Sequence, residues 1–207
     1  MSRLVSLHAG GASDPWQQLG LTFSDSACRL ADVQLVVGFP GSGLTGWTIA
    51  ANTNMTVDID GIPTTLVESA PIFSSTSSIG HQSVVGLDHV VINTDDLDRT
   101  CSAIESALSL EVRREREVGN GVVQRFHKLE NTIIEVVTGP HVATLGASLW
   151  GMVISVDDLF DLAGELGEGI TSMPKKATQP GRFISTVRGS VGLGVPFAMM
   201  TPHISGN

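Results

Sequence analysis

The chain has 207 residues, 42% of them apolar, enough to bury a core and to exclude wholesale disorder. Twelve basic against 21 acidic side chains leave a formal charge of -9, which excludes the basic surface that nucleic acid or an anionic membrane would need. No apolar run reaches the ~18 residues of a membrane helix, residues 1–8 lack a secretory apolar stretch, and Cys28 and Cys101 are too few for a disulfide scaffold or cysteine-only zinc site, so a soluble cytoplasmic protein is expected.

The 23 glycines and the absence of tyrosine suit a turn-rich β body. In chain order, residues 4–8, 19–23, 28–37 and 46–50 are strand candidates, and Asp14-Pro15-Trp16-Gln17-Gln18 is one helical turn. Gly41-Ser42-Gly43-Leu44-Thr45-Gly46 matches GxGxxG, with Asp58 and Asp60 downstream. The following Trp47-Thr48-Ile49-Ala50 reads as a strand, whereas a dinucleotide site needs a helix N-terminus there. A glycine-rich hairpin is expected instead. Residues 1–80 read as a degenerate βββ(β) module, and the Ser-rich residues 73–83 as a linker.

An internal repeat organises the rest. Val91-Ile92-Asn93-Thr94-Asp95-Asp96-Leu97-Asp98 recurs 62 residues later as Val153-Ile154-Ser155-Val156-Asp157-Asp158-Leu159-Phe160. Each copy starts as a strand and passes into a helix, with Asp95 and Asp157 as expected N-caps. Leu97, Cys101, Ile104 and Leu108 form one apolar stripe, and Leu159, Leu162 and Leu166 a shorter one ended by Gly167. Residues 111–118, 122–128 and 132–137 follow the first helix as strands, and 182–188 and 195–201 follow the second. The expected fold class is α+β, with tandem βαβββ modules at 84–145 and 146–204.

Leu87-Asp88-His89-Val90-Val91-Ile92-Asn93-Thr94-Asp95-Asp96-Leu97-Asp98-Arg99, with Asn131-Thr132-Ile133-Ile134-Glu135-Val136-Val137, Trp150-Gly151-Met152-Val153 and Met199-Met200-Thr201-Pro202, resembles the vicinal oxygen chelate superfamily. That group includes glyoxalase I, bleomycin-resistance proteins and extradiol dioxygenases. The resemblance covers residues 84–203 well and residues 1–80 loosely. It implies curled sheets around a cavity and a divalent metal, Fe, Mn, Ni or Zn, held from first and fourth strands. His89 and Glu135 match two ligand positions, and Glu135 also matches a proton-moving role. The second module departs from the pattern: Gly151 stands where a histidine is expected, and 195–200 offers no carboxylate or imidazole. His8, His81, His141 and His203 are the imidazoles left to complete the set.

Two residues as a turn at Glu130-Asn131 would set Phe126 opposite Glu135, placing Phe126 and Gln124 on the carboxylate's face and His127 on the other. Gln179 and the alternating Arg182, Ile184, Thr186 and Arg188 suggest substrate-binding groups from the second module, with Arg182 and Arg188 holding an anionic ligand. Two functional readings stay open. One is a metal-dependent lyase, isomerase or dioxygenase acting on vicinal oxygens; the other is a metal-free binder of the bleomycin-resistance type. A homodimerising scaffold is a third class, since paired modules of this kind assemble across chains.

Overall fold

The computed structural model describes residues 2–70, 77–143 and 145–203. In chain order the elements are β1 (Arg3–Gly10), α1 (Asp14–Gln17), β2 (Phe23–Ser24), β3 (Ala27–Leu30), β4 (Val33–Phe39), β5 (Leu44–Ala50), β6 (Met55–Ile59) and β7 (Ile62–Val67). Then come β8 (Ser77–Ile79), β9 (Gln82–Thr94), α2 (Leu97–Leu108), β10 (Val112–Gly119), β11 (Val122–Lys128) and β12 (Ile133–Thr138). The last part holds β13 (Ala147–Val156), α3 (Leu159–Leu166), β14 (Lys175–Lys176), β15 (Phe183–Thr186) and β16 (Phe197–Met200).

Both expected repeats have βαβββ connectivity, joined into one sheet ordered β10-β11-β12-β9-β13-β16-β15-β14. In each repeat the first strand lies parallel to the fourth: β9 beside β12, and β13 beside β16. The halves meet where β9 and β13 pair antiparallel. Both central strands are buried through most of their length, so side chains fill both faces. Three register shifts interrupt their ladder, and such bulges increase twist and re-aim side chains. One inserts Trp150 between Leu149 and Gly151, leaving the indole half-exposed.

Residues 3–67, within the 1–80 expected as one degenerate module, hold one βαβββ pass and one reduced pass in a second sheet ordered β2-β3-β4-β1-β5-β7-β6. Here β1 is parallel to β4 and antiparallel to β5, and β5 is parallel to β7. The second pass keeps three strands and no helix. The GxGxxG segment links β4 to β5 through Gly41-Ser42-Gly43 and then enters β5, but it is not a hairpin, because β4 and β5 lie on opposite sides of β1. Gly41 crosses close over β1: a Cβ on Gly10 would stand 2.1 Å from the Gly41 carbonyl oxygen. Asp58 accepts from the Gly61 amide in its own turn, and Asp60 accepts from Arg99 and Thr100 of α2. Both acids are thereby used structurally.

A buried cluster runs through both sheets and the inner faces of α2 and α3. Trp16 of the single α1 turn is fully buried edge-on against Phe197. Asn131, in the β11–β12 turn, fastens the sheets together as an extra strand residue would. Its amide accepts from the Leu4 N–H and donates to the Leu4 carbonyl, each at 3.0 Å. The helix caps lie one residue later than expected, at Asp96 and Asp158. Asp95 instead binds Arg99 and the Gly146 amide. Of the expected linker, residues 73–76 lie outside the described residues, and Ser77–Ile79 forms a strand against the start of β9. Among the described residues, no helix is long and apolar enough to cross a membrane.

Candidate functional site

The two-residue turn places Lys128 opposite Ile133 and Phe126 opposite Glu135, as the expected register requires. Parallel pairing then sets Ile133 beside His89 and Glu135 beside Val91. Alternation does the rest. His89, Val91 and Asn93 face the same side as Glu135 and Val137, and Gln124 and Phe126 join them from β11. His127 points the other way, fully buried, with Nδ1 2.8 Å from the Leu110 carbonyl oxygen.

This face lines a two-lobed cavity. One lobe, about 380 Å³, has mostly apolar walls, including Val91, Val122, Val137, Trp150, Met152 and Pro196. The other, about 490 Å³, includes Arg116, Phe126, Lys175, Lys176 and Gln179. His89, Gln124, Glu135, Ile184 and Thr186 line both lobes. The imidazole and carboxylate therefore sit at the junction of the lobes.

Their geometry is specific. His89 Nε2 lies 3.5 Å from Glu135 Oε2, too long for a hydrogen bond, so the two flank a point instead of satisfying each other. Gln124 donates to Glu135 Oε1 at 2.6 Å. His89 Nδ1 is 2.8 Å from Asp88 Oδ1. An ionised carboxylate only accepts, so this contact puts the proton on Nδ1 and leaves Nε2 facing the cavity. Burial pushes the Glu135 carboxyl above its ordinary pKa; His89 and Arg116 pull it down, and Asp88 adds to the rise. Asp88 goes the opposite way. Burial would raise it, but hydrogen bonds and charge from His89 and Arg182 hold it well below the usual carboxylate range.

The second module contributes shape without ligands. Against β13, Ala198 lies opposite Val153, and against β16, Ile184 and Thr186 lie opposite Met200 and Ala198. Val153, Ala198 and Met200 form a small apolar cluster with Ile184 and Ala177. At Gly151 a Cβ would stand 2.6 Å from the Pro196 carbonyl oxygen and 3.0 Å from its Cβ. Backbone occupies the space that a histidine side chain would need.

A divalent metal is poorly served by this set. The 3.5 Å gap between His89 and Glu135 is about what two ligands ~2.1 Å from one tetrahedral ion would show. A stable catalytic site needs a third protein ligand. Among the described residues, no three His, Cys, Asp or Glu side chains come together to hold an ion. His141 lines the apolar lobe without completing such a group. His81 sits between Asp161 and Glu165, His203 lies 3.6 Å from Asp88, and His8 is bound to Ser6 and Thr48 in the other sheet. The residues present do not fit a resident metal.

The structure thus brings His89, Glu135, Gln124, Phe126 and Gln179 to one cavity, while two expected anion-binding residues lie elsewhere. Arg182 is buried and ion-paired to Asp88, and it also donates to Thr201 O, Gln179 Oε1 and Ser155 Oγ. Arg188 is exposed and donates to the Glu168 carbonyl. The alternation drawn through residues 182–188 does not reach them, because β15 spans only Phe183–Thr186. The cations on the cavity wall are Arg116, Lys175 and Lys176, which sequence reasoning missed. The 111–117 run, with its mixed charges, reads from sequence as a solvated or interfacial strand, and only pairing of Arg116 with Gln124 reveals its face.

No family model and no curated protein matches the chain. Among solved structures, a triple mutant of 4-hydroxymandelate synthase from Streptomyces coelicolor superposes with a TM-score of 0.71 at 12% identity, over 99% of this chain and 94% of that one. Methylmalonyl-CoA epimerase from Mycobacterium tuberculosis matches 58% of this chain and 90% of its own, at TM-score 0.48 and 19% identity. A Streptomyces coelicolor methylmalonyl-CoA epimerase variant in complex with 2-nitronate-propionyl-CoA gives 0.49 and 20%, over 59% of this chain and 100% of that one. The first of these, spanning nearly the whole chain, agrees with the repeated βαβββ connectivity and the curled, cavity-forming sheet: the chain has the fold of the vicinal oxygen chelate superfamily.

Proposed function

We propose that the protein binds a small organic molecule in the two-lobed cavity and moves a proton on it, using Glu135 and His89 without a resident metal. The observation that supports this is a buried carboxyl, its pKa raised by burial, across a 3.5 Å gap from an imidazole nitrogen, at the junction of two lobes large enough for a ligand. A raised carboxyl pKa brings its proton affinity closer to that of a weakly acidic substrate. Asp88 holds the His89 ring from behind, and Gln124 holds Glu135 from the side. Neither catalytic group has to find its orientation during reaction. The reaction class is proton abstraction and return at carbon next to a carbonyl, as in an isomerase.

The test is proton exchange. A panel of 2-oxo and 2-substituted carboxylates is incubated with the protein in D2O and followed by NMR. Wild type is expected to label at least one member at carbon, and Glu135→Gln to slow labelling by about 10²–10⁴-fold. Binding without labelling of any member overturns the proton transfer and favours the sequestering reading, which the apolar lobe beneath the half-exposed Trp150 also suits.

A further inference from the structure

We infer that the ligand is an amphipathic anion, its apolar body in the Trp150 lobe and its carboxylate or phosphate group between Arg116, Lys175 and Lys176; this rests on the cavity being the small-molecule site. The pairing of strands supports the placement. Arg116 lies opposite Gln124, so its side chain shares the face of Gln124 and Glu135. Lys175 lies opposite Ile184, a residue of both lobes, and Lys176 follows it on the same short edge strand. The three cations therefore stand on opposite sides of one lobe, contributed by the two outer strands of the sheet.

Charge balance within the lobe favours an anion: three cations and one carboxylate line it. The protein has only 12 basic residues against 21 acidic ones. Three guanidinium groups elsewhere are neutralised at close range, Arg99 by Asp60, Arg125 by Glu115 and Arg182 by Asp88, and so are not free to take a ligand. Among the described residues, none of Arg116, Lys175 and Lys176 makes an ion pair, and Glu135 is the only carboxylate lining their lobe. An acidic protein that keeps three cations unpaired around a cavity is set up to attract an anion from solvent. The guanidinium supplies paired donors for a planar carboxylate or a phosphate, and the two ammonium groups supply point charge at the mouth. The adjoining lobe is apolar, so a bare inorganic anion would leave it empty.

The experiment is calorimetric titration of the full chain with 4-phenylbutanoate, 4-phenylbutyl phosphate and the neutral 4-phenylbutanamide, at low and high salt. At least one anion is expected to bind ten-fold or more tightly than the amide, with the advantage shrinking at high salt. The stronger of the two distinguishes carboxylate from phosphate recognition. Arg116→Gln and the surface variant Lys175→Gln/Lys176→Gln are each expected to cut that advantage several-fold while leaving amide binding in place. Equal binding of amide and anions, or an advantage that survives in the folded lysine variant, overturns the charge assignment and leaves the cavity reading standing. Failure of all three to bind at millimolar concentration overturns both.

Discussion

Replacing Arg182 with methionine tests whether the ion pair behind His89 is a structural keystone. The methionine keeps an unbranched side chain of similar reach and removes the charge. In the native protein, Arg182 and Asp88 side chains are 2% and 1% exposed, so neither charge can fall back on water. Arg182→Met leaves Asp88 with donors from His89 Nδ1 and Ser155 Oγ but no fixed cation. It also strands the Thr201 carbonyl and Gln179 Oε1. Breaking a buried pair from one side costs about 3–5 kcal/mol. At ~2–4 °C per kcal/mol for a chain of this size, Tm should fall by roughly 10 °C. Urea unfolding at pH 7 and low salt measures the change. Asp88→Asn together with Arg182→Met carries no orphaned charge and should recover part of the loss, giving a coupling energy of ~1 kcal/mol or more. A loss below ~1 kcal/mol for Arg182→Met, or strict additivity in the double variant, refutes the reasoning.

Two other substitutions probe the cavity itself. Glu135 has a raised pKa in the fold, so it contributes stability below its unfolded pKa that is lost as pH rises through the folded value. Glu135→Gln should therefore raise Tm at pH 7, with the gain disappearing near pH 4; thermal melts across that range check it, and a destabilised variant at pH 7 would contradict the burial effect. Gly151→Ala places a Cβ against Pro196 backbone and should destabilise by about 1–3 kcal/mol in chemical unfolding; a neutral result would mean that a side chain at 151 is tolerated and that a third metal ligand could be built there.

Much of the first module's site is legible in the sequence, because local rules decide it. A two-residue turn at Glu130-Asn131 sets the register, and a period of two then carries Glu135, Phe126 and Gln124 to one face. The repeat at 91–98 and 153–160 likewise announces two βα starts, and the expected apolar stripe from Leu97 to Leu108 lies on α2. Arg182 shows where such rules stop. Alternation holds only inside a strand, β15 starts at Phe183, and the partner Asp88 lies 94 positions away.

What the sequence by itself determined was the α+β repeat, since periodicity and turn length act over a few neighbouring residues; the candidate pair His89 and Glu135 came from the resemblance that those strands carry. Only the tertiary structure decided that residues 3–67 hold one full and one reduced pass of the connectivity, that Gly151 has no room for a ligand, and that the cavity's cations are Arg116, Lys175 and Lys176. The composition, with its charge of -9, hides that cationic wall. A net charge sums over the whole chain, whereas recognition depends on which few side chains strand pairing turns toward the same cavity.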